Sequence, residues 1–433
     1  MRCLHFAVLF ICMPVFTVLG QTSESADQPA QDPVTLEDYL RTAAENNAGL
    51  RAAFEQWQMA VLAVEPAASL DDPRFTYAYF IEEVETRVGP QKHRLSLSQT
   101  FPWFGTLEAR KDAAAAIAQA AQMQYEAKKL DLFEQTKNIF YEYSYLTRSV
   151  QIAKENLELL KHFEQVAQAR YRTATGKHPD IIRAQIEMAT LEDQVQSLED
   201  MRRPLSAKIN AVLNRDKGNL LSWPVWTDRK PPILALDMLN RDNSMNPELE
   251  AMDYETQAAR QRAELAKKRY YPNVTVGVDW IMTDEARMPN VYGSGRDPVI
   301  AMFSLNIPLW TDSYRAQEHR SWADVRKTER QKVQKEYDLD AQIAQVVFDL
   351  KDSLRKINLH RDVLIPKAKE MIQTSEEAYR AGTVDFLSLL DAQRKLLLYE
   401  LALERSVTNH FQQQARLEKL LGGELPIVAN VSQ

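Results

Sequence analysis

Four short segments of the chain alternate between apolar and polar residues, the pattern of an amphipathic β-strand. They cover about residues 73–82, 93–101, 272–281 and 298–307. In the third segment Val274, Val276, Val278 and Trp280 alternate with Thr275, Gly277 and Asp279. A strand of about nine or ten residues with one apolar face has the length of a transmembrane β-strand. A hairpin of a soluble β-sandwich shows the same pattern and is the alternative.

Two long segments have the character of continuous helices. Residues 106–175 contain neither glycine nor proline, and Pro366 is the single interruption of residues 311–381. A helix of the first length would measure about 100 Å at 1.5 Å per residue. In the second segment, apolar residues follow the steps of a coiled-coil seam at Leu339, Ile343, Val346, Leu350, Leu354 and Ile357. The alanine-rich stretch 113–121 favours close approach of several helices.

The chain contains a tandem duplication of about 200 residues. Its landmarks recur in the same order at offsets of 199, 206 and 208: Asn47–Leu50 with Asn246–Leu249, Ser98–Phe104 with Ser304–Trp310, and Tyr171-Arg172 with Tyr379-Arg380. Each half reads as a helix, a strand hairpin and a pair of long helices. The first repeat is predicted at 34–213, a linker at 214–234, the second repeat at 235–424 and a C-terminal tail at 425–433.

The N-terminus has the composition of a secretory signal peptide. Arg2 is followed by the mainly apolar run Leu4–Leu19, and Gly20 precedes a polar segment at 21–33. We therefore predict a cleaved signal at 1–20, with a buried N-terminal helix as the alternative. Both cysteines, Cys3 and Cys12, lie inside it, so the exported chain would have no disulfide and no cysteine nucleophile.

Composition excludes several classes of function. The net charge of −7 comes without a basic stripe, so we expect no nucleic acid partner. No glycine-rich phosphate-binding motif occurs, and beyond residue 20 no apolar run is long enough for a transmembrane helix. The six histidines outside the signal segment lack metal-ligand spacing. We expect no enzymatic activity, no metal and no cofactor.

The strand count has a consequence for assembly. Four strands cannot close a barrel, and an open sheet edge is not tolerated in lipid. If the strands lie in a membrane, several chains must share one barrel. Oligomerisation is therefore expected.

Taken together, these features resemble the TolC family of outer-membrane efflux proteins. The resemblance covers about Val34 to Glu424 and rests on the duplication, on the strand end Gln99–Trp103 with its counterpart Asn306–Trp310, and on two helix-junction motifs. Those motifs are Tyr171-Arg172 with Gly176 and Asp180, and Tyr379–Gly382 with Leu390–Gln393.

The resemblance implies a mainly α-helical chain with a membrane β-barrel part. Three copies would form an α-helical periplasmic tunnel and share a twelve-stranded barrel in outer-membrane lipid. Such a homotrimer is the passive exit duct of a tripartite pump, joined by a periplasmic adaptor protein to an inner-membrane transporter, and it carries small molecules or metal ions. The alternative is a secreted periplasmic coiled-coil scaffold or adaptor without a barrel.

The resemblance also implies a gate at the periplasmic mouth. By position, Tyr379 and Asp180 resemble a hydrogen-bonded gate pair, and Asp391 resembles an entrance aspartate. Ser388 stands where a second aspartate is expected, and Val384 where some members have a gate arginine.

Two roles are possible for each of two aspartates near the mouth. Asp180 and Asp385 would either add charge near the mouth or cap the helices that follow Gly176 and Gly382. The turn 102–107 with Arg110 is similar to the heavy-metal export branch of the family. Drugs, metal ions and secreted proteins all remain possible cargo.

Overall fold

The structure is a computed structural model that describes residues 33–216, 218, 220–226, 229–232, 245–423 and 425. The predicted signal peptide at 1–20 lies outside the described residues, as do residues 21–32, part of the linker and nearly all of the tail. The described helices are α1 (Leu36–Asn46), α2 (Ala48–Leu62), α3 (Val64–Ala68), α4 (Thr106–Arg172), α5 (His178–Asp200), α6 (Arg202–Leu213), α7 (Pro247–Lys268), α8 (Thr311–Leu359), α9 (Ile365–Ala381) and α10 (Phe386–Leu421).

The strands form one antiparallel sheet in the order β1-β2-β3-β4. They are β1 (Arg74–Val84), β2 (Gln91–Phe101), β3 (Val274–Thr283) and β4 (Val299–Leu305). Each overlaps one of the four segments that alternate in the sequence. The two hairpins are joined because β2 pairs with β3, from Phe101 opposite Val274 to Gln91 opposite Thr283. This leaves β1 and β4 as the edges of the sheet.

One face of the sheet is apolar and exposed in the single chain. The register places Leu97 between Phe75 and Val278, and Val278 opposite Ala301. Ile81 is 90% exposed and Phe303 is 67% exposed. A contiguous apolar surface of this kind marks contact with lipid or with another chain.

The other face of the sheet is polar and hydrogen-bonded across the strands. The carboxylate of Asp279 is buried and accepts hydrogen bonds from Arg94 and Ser96 on the neighbouring strand. The hydroxyl groups of Thr100 and Thr275 lie 2.9 Å apart. The sheet is therefore amphipathic, as the alternation predicts.

The first long segment is a single helix. α4 runs for 67 residues, about 100 Å, and starts after Gly105, whose φ of 72° turns the chain out of the strand. In the second segment, α8 and α9 are continuous through a π-helical stretch, His360–Leu364. Pro366 follows as the second residue of α9. Proline has no backbone N–H to donate, so one hydrogen bond of the helix is missing here. The wider turn of the π-helical stretch accommodates this loss without ending the helix.

The coiled-coil seam predicted on α8 is buried at every predicted position except Leu354. Leu339, Ile343, Val346, Leu350 and Ile357 are buried, but Leu354 is 38% exposed. Ser353 is buried instead and donates a hydrogen bond to the Leu350 carbonyl. A strict alternation of four and three residues places 353 in the seam, so spacing outweighs the apolar character of the neighbouring leucine.

The helices pack side by side, with their cores along the contacts. α4 packs on α7, and α7 packs on α8 through a cluster of Ala259 and Ala263 with Val325. The described part of the linker packs against α4 and α10 through Trp223 and Trp226, whose rings contact Tyr143, Tyr141 and Phe411. Across the residues that the structure describes, no helix combines the length and the apolar character that a membrane span requires.

Candidate functional site

Two turns, each of which connects a pair of helices, lie together at the end of α4 that is far from the strands. One joins α4 to α5, and in it the amides of Thr175 and Gly176 bond to the Arg170 carbonyl. The other joins α9 to α10 through Gly382, whose φ is 81°. A shared apolar cluster with Phe163, Ile181, Phe386 and Leu389 at its centre packs the two hairpins together.

Tyr379 and Asp180 form a hydrogen bond between the two hairpins. The Tyr379 hydroxyl donates to Asp180 Oδ2 at 3.2 Å, and the two residues are only 2% and 7% exposed. Burial, followed by the nearby Asp180 carboxylate, raises the pKa of Tyr379 to about 12. The phenol is therefore protonated at neutral pH and remains a hydrogen-bond donor.

Arg170 completes this link, although the sequence analysis did not single it out. Its guanidinium lies over the Tyr379 ring, 4.5 Å from the ring centroid, and donates to the carbonyls of Tyr379 and Thr175. Arg170 thus ties the α4–α5 turn to the last turn of α9. Arg183 Nη1 lies 3.5 Å from the second Asp180 oxygen, so both carboxylate oxygens have a partner.

The two junction aspartates make different contacts. Asp385 is the N-cap of α10: its Oδ1 accepts hydrogen bonds from the Ser388 amide at 3.0 Å and from the Ser388 hydroxyl at 2.7 Å. These bonds, the hydroxyl first, hold the pKa of Asp385 below its usual value. Asp180 lies in the first turn of α5 but caps nothing there; its carboxylate is held by Tyr379 and Arg183.

Asp391 lies apart from this cluster. It is on the exposed surface of α10, where its carboxylate is 2.8 Å from Lys395 Nζ, one turn along the helix. That contact raises the pKa of Lys395. Arg394, which precedes Lys395, forms an ion pair with Glu187 of α5. The structure therefore groups Asp180 with Tyr379 and Asp385 with Ser388, while Asp391 forms a local pair.

The opposite end of the helices carries exposed aromatic and aliphatic side chains where strands turn into helices. Phe104 and Trp310 are among the most exposed large residues of the chain, and the Trp103 ring stacks on Tyr271 at 5.0 Å. Aromatic residues at this level suit the edge of a lipid bilayer. Within the described residues, no group of three or more histidine, cysteine, aspartate or glutamate side chains has the arrangement of a metal site.

Comparison with known proteins agrees with this architecture. The family model described as "Outer membrane efflux protein" matches residues 40–214 and 239–423. The pyoverdine export outer membrane protein OpmQ of Pseudomonas putida is 21% identical over 339 residues, which cover 76% of this chain and 70% of OpmQ. The cobalt-zinc-cadmium resistance protein CzcC of Cupriavidus metallidurans is 20% identical over 431 residues, 97% of this chain and 98% of CzcC.

The fold also matches solved structures. The crystal structure of the outer membrane protein VceC from Vibrio cholerae aligns with a TM-score of 0.74 at 18% identity, covering 90% of this chain and 96% of VceC. The family model accounts for most of the chain in two blocks, one in each repeat. The chain therefore belongs to the outer membrane efflux protein family, and it is an efflux channel of the outer membrane.

Proposed function

We propose that three copies of the chain form a passive exit duct, with a shared barrel of twelve strands and a tunnel of long helices. The observation that carries this proposal is the open four-stranded sheet, with one exposed apolar face and two unpaired edges, β1 and β4. In lipid, each edge must pair with another strand. Pairing β4 of one copy with β1 of the next closes the barrel and leaves no edge.

The two faces of the sheet then have separate roles. The face with Leu97, Val278 and Phe303 contacts lipid, and the face with Ser96 and Asp279 lines a water-filled interior. The aromatic side chains near Trp310 lie at the periplasmic edge of the bilayer. From that level, α4 and α8–α9 carry the conduit about 100 Å into the periplasm.

Partners in a tripartite pump would meet the duct at its far end. The turns at Gly176 and Gly382 are the parts of the described chain that lie deepest in the periplasm in this arrangement. A periplasmic adaptor would dock there and connect the duct to an inner-membrane transporter, which supplies the energy. One named relative exports pyoverdine and another confers resistance to cobalt, zinc and cadmium. In this duct, the transporter would make the first selection of cargo.

The Tyr379–Asp180 bond, supported by Arg170, is proposed to hold the mouth closed. It fastens the α9–α10 hairpin to the α4–α5 hairpin, so opening requires the bond to break. Asp391 would lie on the path of entering cargo, with its charge offset by Lys395. Asp385 and Ser388 act as a helix cap at the same end.

Single-channel recording in a planar lipid bilayer tests the duct. The detergent-purified protein should insert as a trimer and give discrete conductance steps. Asp391→Ala should change the conductance measured from the periplasmic side, and Asp349→Ala, a partly exposed aspartate farther from the mouth on α8, is the control. Failure to insert, with a monomer in solution, would refute the duct. Insertion with the same conductance in the wild type and in Asp391→Ala would refute only the role of that residue.

A further inference from the structure

Three adjoining cavities form one groove along α4, α7 and α8, starting where the strands meet the helices. Their volumes are about 260, 630 and 310 Å³. Arg269 lines the first two, and Arg262 lines the second and third. The lining residues Glu255 and Arg262 of α7 and its C-cap residue Arg269 are seven residues apart, so a single stripe of that helix faces the groove.

The upper end of the groove continues the polar face of the sheet. It is lined by Pro102, Asn273 and Asn306. Asn273 precedes Val274 of the apolar face, Asn306 follows Leu305, and alternate residues of a strand point to opposite sides. In a barrel with its apolar face toward lipid, this groove therefore opens to the interior of the duct.

The groove has an excess of positive charge, although the whole chain is acidic. Only Glu255 and Asp324 contribute carboxylates, whereas six basic side chains line it: Arg110, Arg262, Lys268, Arg269, Arg320 and Lys327. Lys327 is paired with Asp324 at 2.9 Å, and Glu255 accepts a hydrogen bond from Gln124.

The other basic groups of the groove bind no carboxylate in the described part of the chain. Lys268 Nζ reaches only the Phe104 carbonyl, at 3.4 Å, and Arg269 donates to Gln317.

The side of α7 and α8 that faces away from the groove is arranged differently. There, Arg260 is paired with Glu329 at 2.8 Å and Lys332 with Asp253 at 2.6 Å. The same helices thus neutralise their charges on one side and leave cations without carboxylates on the other. A charge excess confined to one stripe indicates a role for that stripe in attracting anions.

We propose that this groove is an anion-attracting section of the conduit, which favours cargo bearing carboxylate or phosphate groups over free metal cations. The inference rests on the proposed duct, because three copies of the groove must face one interior. Rings of like charge in a confined pore raise the local concentration of counter-ions and select among solutes by sign. Cargo that leaves the helical tunnel would pass this section just before the barrel.

Block of single-channel current by tripolyphosphate tests the inference. The anion is added on the barrel side, so that it reaches the groove before the periplasmic mouth. Arg262→Gln combined with Arg320→Gln removes two exposed cations per copy, and Arg260→Gln, on the opposite side of α7, is the matched control. We expect the double variant to weaken block by about tenfold or more, and the control to match the wild type.

The outcomes separate the two proposals. Channels that insert and show equal block in the wild type and the double variant would overturn the anion-attracting groove and leave the duct intact. Equal weakening by Arg260→Gln would also overturn it, because the effect would then not depend on the groove. If no channel formed with any of the proteins, including the wild type, both the duct and the anion-attracting groove would be refuted.

Discussion

The hydroxyl of Tyr379 donates a 3.2 Å hydrogen bond to Asp180 across 199 residues of sequence, and the duplicated chain makes this bond only once. At the repeat offset of 208, the equivalent pair is Tyr171 and Ser388. Tyr171 is about half exposed, and Ser388 donates to Asp385 instead. One of two equivalent junctions is therefore fastened, which gives the proposed gate an asymmetric construction within each copy.

This asymmetry predicts that Tyr379→Phe opens the mouth and Tyr171→Phe does not. Phenylalanine keeps the ring beneath Arg170 but leaves Asp180 Oδ2 without its donor, while Arg183 stays near the other oxygen. A hydrogen bond to a charged group contributes about 1.5–3 kcal/mol, so the open-to-closed ratio should rise by about tenfold or more. Conductance and open time in planar bilayers measure the ratio. Similar values for the two variants would show that the bond does not hold the gate.

A second prediction concerns high pH. The pKa of Tyr379 is raised to about 12, so the folded state binds its proton more tightly than the unfolded chain, where tyrosine has a pKa near 10. The stabilisation is complete below about pH 10 and is lost as pH rises through 12. Absorbance titration of tyrosinate should show a group that titrates near pH 12 in the wild type and is missing in Tyr379→Phe, whereas Tyr141, whose pKa is also raised by burial, titrates late in both proteins. A wild-type curve identical to that of the variant would contradict the assignment.

The cap of α10 gives a third prediction. Asp385→Ala removes the acceptor for the Ser388 amide and should lower the unfolding midpoint of the trimer by a few degrees, whereas Asp385→Asn keeps a capping oxygen and should change it little. Because the pKa of Asp385 is lowered in the folded state, the part of the stabilisation that depends on its negative charge is present at neutral pH and is lost as pH falls below about 4 through that lowered pKa. A change in conductance with Asp385→Asn, at unchanged stability, would instead assign its charge to the pore.

The sequence predicts the local features of this fold better than its distant contacts. The strands follow from alternation of period two, and α4 follows from the absence of glycine and proline over its length. Asp385 as a helix cap is also local, because its partner Ser388 is three residues away. Leu354 is the exception: its apolar character predicts a seam position, but the spacing places Ser353 there.

Contacts between the repeats could not be predicted from the local sequence. The Tyr379–Asp180 pairing entered through family resemblance, since nothing in the local sequence of either residue specifies the other. Arg170 was missed because its partner Tyr379 is 209 residues away and the pattern around Arg170 is that of an ordinary helix end. The basic groove was missed for the same reason: its cations come from α4, α7 and α8, and each helix alone has a mixed charge pattern.

The last prediction tests the orientation of the sheet with two neighbouring residues of β4. Phe303 lies on the apolar face opposite Val276, and Ser304 lies on the polar face opposite Thr275. A lysine on the lipid side of a barrel costs from about 0–1 kcal/mol near the interface to about 2–4 kcal/mol at the bilayer centre, whereas one on the interior side remains hydrated. Phe303→Lys should therefore reduce the heat-modifiable trimer in isolated outer membranes, and Ser304→Lys should leave the trimer intact while altering conductance. If Ser304→Lys abolished the trimer and Phe303→Lys spared it, the polar face would be the one in contact with lipid, and the basic groove would lie outside the duct.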